Sequence, residues 1–267
     1  MTQQRCALLL LLAALAAGSE PRAAAPRPLR LMPVGDSITR GTYLGQAVRD
    51  GQATGLPTPD GGGWRKVLQD QLRDAGVAYD FVGALNYMAY GQDGKCDKDF
   101  DPDHHGLAGF SNRGIRLGGA VPTPKDVLAA LAVKAVVVPD IITVLKAQQP
   151  DVVLLMAGAN GFDAKERDVL IETILANSAA HLIVATITPQ AAPRPGWEKV
   201  GEYNASLPAT VAKLKAAGRK ISLVDMAAAL TAEDLMPDGV HPNQRGLAKM
   251  ADVWFRGLKD AGYVGKP

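Results

Sequence analysis

Short apolar runs recur along the chain at Leu29 to Val34, Tyr79 to Ala84, Val152 to Ala157, Leu182 to Ile187 and Ile221 to Val224. Each is aliphatic or β-branched, is bounded by turn residues, and is separated from the next by stretches of helical spacing, so the pattern predicts a parallel sheet covered by helices. Trp64, Val67, Leu68, Leu72 and Ala75 recur on one helical face and Gly76 follows as a stop. Pro124 to Leu145 reads as a helix interrupted at Pro139, and Leu247, Met250, Ala251, Trp254, Phe255 and Leu258 share one face of a closing helix expected to pack on the sheet. Two polar, glycine-rich connections, Thr42 to Gly63 and Asn86 to Gly109, exceed the usual loop length. In such a sheet, chemistry is sought just beyond the carboxyl ends of the strands.

Ahead of the first strand the pattern changes. A short basic start ending at Arg5 leads into an uncharged Leu- and Ala-rich run from Cys6 to Ala17, then small residues, the layout of a secretory signal peptide with cleavage expected near Gly18 or Ala25. The run falls short of the roughly 20 apolar residues that span a bilayer. Pro21 to Pro28, rich in Ala, Pro and Arg, reads as a tether. The expected organisation is a signal peptide and tether over residues 1–25, then one domain over 29–267, secreted or periplasmic, with no stable membrane insertion after cleavage. The mature chain would keep only Cys96, so no internal disulfide is expected.

Composition changes this picture little. Of 267 residues, 47% are hydrophobic and 21% charged, enough for one filled core. A net charge of +2 from 29 basic and 27 acidic residues supplies no strong field for nucleic acid.

Candidate chemistry sits at the predicted strand ends. The first run stops at Gly35-Asp36-Ser37, placing a hydroxyl at a tight turn with backbone N–H groups free beside it; taken alone, Ser37 reads equally as a turn-capping serine. Asp238-Gly239-Val240-His241-Pro242 sets a carboxylate and an imidazole three positions apart, so that Asp238 can fix the tautomer of His241 while His241 takes a proton from Ser37. An ester-cleaving site also needs donors aimed at the developing oxyanion. Asn160, after the run at Val152, and Gly109, in the glycine-rich stretch His105 to Gly109, can supply them, although spacing alone does not separate these roles from a strand-ending turn and a flexible loop. His104 and His105 beside Asp101 and Asp103 superficially suggest a metal cluster, but the ligands are crowded and no spaced partner follows. Neither a metal nor a cofactor is expected. Trp197 and Tyr203 can offer sugar-stacking faces, though packing of a connection is the commoner use of such aromatics.

The strings at residues 35 to 39, 105 to 109, 158 to 160 and 238 to 241 occur in the order of GDSL-type, or SGNH, hydrolases. "LMPVGDSITRG", "GGWRKVL", "YDFVGA", "HHGLAGF", "PDVVLLMAGAN" and "DGVHPNQRGLAKMADVWF" resemble the carbohydrate esterase branch that includes acetyl xylan esterases, and the resemblance covers nearly the whole mature chain. It implies a flavodoxin-like three-layer α/β/α sandwich with a parallel sheet. It further implies Ser37 as nucleophile, an oxyanion hole of the Ser37 N–H, Gly109 and Asn160, and Asp238 and His241 completing the triad. No serine lies in a Gly-x-Ser-x-Gly string, which argues against the nucleophile elbow of α/β-hydrolases. One departure stands out: the family pattern continues with Asp after this Asn, whereas Gly161 follows Asn160, and Asp163 is the nearest carboxylate to take over its bracing.

The expected function is a secreted serine ester hydrolase acting on an acylated carbohydrate, with acetylated plant cell-wall polysaccharide favoured through the resemblance. A broad short-chain esterase, lipase or thioesterase is the rival within enzymes. A non-catalytic carbohydrate-binding protein on the same scaffold is the rival from another class.

Overall fold

The computed structural model describes residues 27–43, 62–86, 99–120 and 137–265, together with the short paired segments 48–49, 52–53 and 56–57. The expected signal peptide and Cys96 lie outside the described residues.

Six parallel strands form the central sheet: β1 (Leu29–Gly35), β2 (Tyr79–Phe81), β3 (His105–Gly106), β4 (Val152–Met156), β5 (His181–Ala185) and β6 (Ile221–Val224). Their order is β6-β5-β4-β1-β2, and β3 also pairs with β1. Along one side of β1 the partner changes: β2 covers Leu29 to Leu31, and β3 covers Val34 and Gly35. On its other side β1 runs in register with β4, from Leu31 opposite Val152 to Gly35 opposite Met156. His105 and Gly106, expected in a loop, form a strand, and two residues lack the length to show a periodicity.

Alternation along the strands feeds two separate cores. Leu31, Val152, Leu154, Met156, Ile183 and Ala185 face a cluster with Trp64, Leu68 and Leu72 of α2 (Trp64–Asp74) and Leu247, Trp254 and Leu258 of the closing helix (Gln244–Asp260). Met32, Val34, Val153, Leu155, Leu182 and Val184 face the other cluster. It is built with α3 (Asn112–Leu117), α4 (Ile141–Gln148), α5 (Ala164–Asn177) and α7 (Leu207–Ala216), the last preceded by α6 (Val200–Ala205). Helices on both faces of one parallel sheet make the expected three-layer α/β/α sandwich. The closing helix, α8, and the one-turn α1 (Ser37–Arg40) complete the helices used below.

The expected helix over Pro124 to Leu145 is corrected within the described residues 137–145. Val137 and Val138 pair antiparallel with Gly119 and Ala120, and helix α4 begins only at Ile141. The cause is local: Pro139 disfavours helical geometry in the residue before it, while the Asp140 carboxylate accepts from the N–H groups of Ile142 and Thr143 and restarts the helix. Among the described residues, no helix is long and apolar enough to cross a membrane.

Candidate active site

Strand β1 is buried from Leu31 to Gly35, and the chain turns at once into α1. Asp36 caps that helix, its Oδ1 accepting from Ile38 N–H at 3.1 Å. Its other oxygen, Oδ2, accepts from Ala159 N–H at 3.3 Å, which binds the end of β1 to the turn after β4. Asp36 is only 1% exposed; burial pushes its carboxyl up, opposed by the Ile38 N–H and the nearby His241. Ser37 is the first residue of α1 and is buried to 5% exposure.

The imidazole of His241 meets Ser37 from the other end of the sequence, with Nε2 2.8 Å from Ser37 Oγ and Nδ1 2.5 Å from Asp238 Oδ2. Burial raises the Asp238 carboxyl, but the hydrogen bond and charge of His241 and the N–H groups of Val240 and His241 outweigh it, so Asp238 lies below the usual carboxylate range. An ionised carboxylate only accepts, so the neutral ring carries its proton on Nδ1 and leaves Nε2 to accept from the Ser37 hydroxyl. The loop is shaped for this contact: Asp238 Oδ1 accepts from Val240 and His241 N–H, both at 3.0 Å, and Met236 N–H donates to His241 carbonyl at 2.7 Å. Between them Gly239 has φ of 70°, and a side-chain carbon there would fall 2.2 Å from Ala191 carbonyl.

The two other expected site segments converge on this point. Leu107 N–H donates to Gly35 carbonyl at 2.7 Å, and the turn that follows closes from Phe110 N–H to Leu107 carbonyl at 3.1 Å. Gly109 occupies the third position of this turn with φ of 80°, a left-handed value that glycine adopts without steric cost, and its own N–H takes no part in the closing bond. Asn160 Nδ2 donates to Phe110 carbonyl at 3.2 Å. One of the two amide hydrogens fixes the side chain there. Ser37, Gly109 and Asn160 are thus linked through Gly35, Phe110 and the Asp36–Ala159 bond.

The expected bracing of Asn160 by Asp163 is not what the side chains do. Asp163 caps α5, its Oδ1 accepting from Glu166 N–H at 3.0 Å, because a carboxylate at that position satisfies otherwise unpaired helix N–H groups. Support for the Asn160 turn comes instead from farther along the chain: Tyr203 Oη donates to Ala157 carbonyl at 2.6 Å and Arg194 Nη2 donates to Ala159 carbonyl at 3.0 Å. Tyr203 is therefore a buried strut, 3% exposed, with its hydroxyl pKa raised by burial. Sequence reading missed Arg194 and Asp36; for Asp36 the signal was present, an Asp directly before a serine-initiated turn.

His104 and His105 are both wholly buried, and His104 Nδ1 accepts from Gly106 N–H at 2.9 Å. Burial lowers the pKa of His105 to about 4 and that of His104 well below the usual value. Asp101 accepts from Phe81 and Asp103 N–H. Arg65, buried within α2, donates to the carbonyls of Thr39, Arg40 and Pro102, so it braces the far end of α1.

A hydroxyl, imidazole and carboxylate in this chain, beside backbone and amide donors, can support acyl transfer. Comparison with known proteins agrees with that chemistry. The GDSL-like lipase/acylhydrolase family profile matches residues 31–254. A multidomain esterase of Ruminococcus flavefaciens is 24% identical over 262 residues, which cover 92% of this chain and 30% of that protein, so this chain spans under a third of its length. Among solved structures, a family 3 carbohydrate esterase of Clostridium thermocellum is 26% identical with a TM-score of 0.59, the match covering 88% of this chain and 96% of that one. A family 3 carbohydrate esterase from Talaromyces cellulolyticus shares the fold with a TM-score of 0.62 at 22% identity, over 87% of this chain and 97% of that one. The chain belongs to the GDSL-like lipase/acylhydrolase family.

Proposed function

We propose that this esterase removes acetyl groups from plant cell-wall polysaccharide, of the acetyl xylan type, through an acyl-enzyme on Ser37. His241 takes the Ser37 proton as the hydroxyl attacks the ester carbonyl, and Asp238 stabilises the imidazolium that forms. The Ser37 and Gly109 N–H groups and the Asn160 amide receive the oxyanion. The imidazolium then protonates the departing sugar oxygen, which leaves as a hydroxyl, and water activated by the same ring releases acetate.

The observation that carries this reading is the unbroken Ser37–His241–Asp238 hydrogen-bond chain, at 2.8 and 2.5 Å. The sugar-ester assignment draws support from the similarity to family 3 carbohydrate esterases. The apolar, basic-flanked N-terminal run supports export, which suits an external polymer.

Acetate release from acetylated xylan and from a chromogenic acetate ester, by the purified mature protein, tests the proposal. Release from both is expected, with Ser37→Ala losing about a millionfold in turnover, as in well-studied serine hydrolases. Release from the small ester alone would assign the protein as a general short-chain esterase.

A further inference from the structure

The chain has three tryptophans, and two of them, Trp64 and Trp254, are wholly buried against each other with ring centroids 5.4 Å apart. The third, Trp197, is 46% exposed, and the ester-cleaving residues make no use of it. It lies on the segment joining β5 to α6, which is fastened to the site at two points. Ala191 N–H donates to the carbonyl of Gly239, between Asp238 and His241, at 2.9 Å, and Arg194 Nη2 donates to Ala159 carbonyl, beside Asn160. Trp197 N–H in turn donates to Arg194 carbonyl at 3.4 Å. Three residues of chain reach at most roughly 11 Å, so Trp197 stays within that distance of the Arg194 backbone, whose side chain reaches the Asn160 turn.

A second aromatic stands beside it. Phe162, two residues after Asn160, holds φ of 52°, a left-handed value that is costly for a bulky residue, with its N–H bonded to Gly158 carbonyl at 3.0 Å. Its ring abuts the residue before Trp197: a side-chain carbon built on Gly196 would lie 3.5 Å from Phe162 Cε2. Phe162 is half-buried, its ring edge-on to Tyr203 with centroids 6.4 Å apart, so it seats the Gly196 segment on the core beside the Asn160 turn while the indole of Trp197 stands exposed. A flat apolar face of this kind suits the C–H face of a sugar ring, whose hydroxyl edges stay in water.

We propose that Trp197, with Phe162 alongside, is a sugar-binding platform next to the ester site, seating a pyranose ring of the polysaccharide. This rests on the polysaccharide reading above. Because the other two tryptophans are buried, acrylamide quenching of fluorescence reports Trp197.

In full-length mature Ser37→Ala protein, unacetylated xylo-oligosaccharide is expected to protect Trp197 saturably from quenching. In the active enzyme, Trp197→Ala should raise KM for acetylated xylo-oligosaccharide about 5–10-fold, leave the rate on ethyl acetate within about twofold, and be largely rescued by Trp197→Phe. Acetate release from xylan without protection or a KM change would overturn the platform and leave the polysaccharide reading intact. No release from xylan would remove both. Equal losses on both esters would make Trp197 a structural residue, and protection that grows with protein concentration without sugar would assign the face to a second copy; either result overturns the proposal.

Discussion

Ser37 stands at the end of a strand buried on both faces, whereas His241 stands on a loop with no sheet strand beneath it. Strand β1 is fixed by neighbours on either side, and Asp36 bonds it to the turn after β4. The His241 loop is held by polar contacts: the Met236 bond to His241, a single bridge between Leu235 and Pro242, and the wholly buried Asp234. Asp234 accepts from Thr231 N–H at 2.8 Å, Arg245 Nε at 2.6 Å and Lys249 Nζ at 2.7 Å, tying the approach to the loop onto α8. Position by apolar burial requires the groups enclosed with it to stay uncharged, whereas position by charge-assisted bonds requires its groups to stay charged. The two ends should therefore fail in different ways.

The largest effect expected is on the polar end. Asp238→Asn presents an amide that can donate to Nδ1 and favour the wrong tautomer; by analogy with serine proteases kcat should fall about 10⁴-fold with the fold unchanged, measured by initial rates and circular dichroism. A middle-sized effect is expected from Asp234→Ala, which removes charge-assisted bonds while Arg245 and Lys249 regain water. Denaturant unfolding should show a loss of about 2–3 kcal/mol, with kcat falling less than about tenfold.

At the buried end the expected effect is graded, growing only as pH is lowered and leaving neutral pH untouched. The His105 pKa in the folded chain, about 4, lies below its ordinary 6.5. Between those values the unfolded chain binds the extra proton, so stability is present above about 6.5 and falls as pH is lowered towards 4. Thermal unfolding across that window should show Tm falling with pH, and His105→Phe should flatten the slope. A Tm that rose on acidification would contradict the burial of His105.

Much of the scaffold was legible because strands buried on both faces appear as continuous apolar runs: β1, β4 and β5 fall within a residue or two of the expected ranges, and so does the partly buried edge strand β6. The meeting of Ser37, Asp238 and His241 was legible because each lies beside turn residues that aim it. What escaped was long-range. Arg194 and Tyr203 support the Asn160 turn from 35 and 46 residues away, with no local periodicity to mark them. Asp163 is near Asn160 in sequence but does not brace it, because a carboxylate just before a helix satisfies the helix first.

Labelling with a fluorophosphonate ester, followed by peptide mass mapping, tests the central claim most directly, because such reagents trap an activated serine. The wild-type enzyme should carry one label, on the peptide containing Ser37, with activity lost in step, and Ser37→Ala should carry none. A label on another residue, or full labelling of Ser37 with esterase activity intact, would contradict the account.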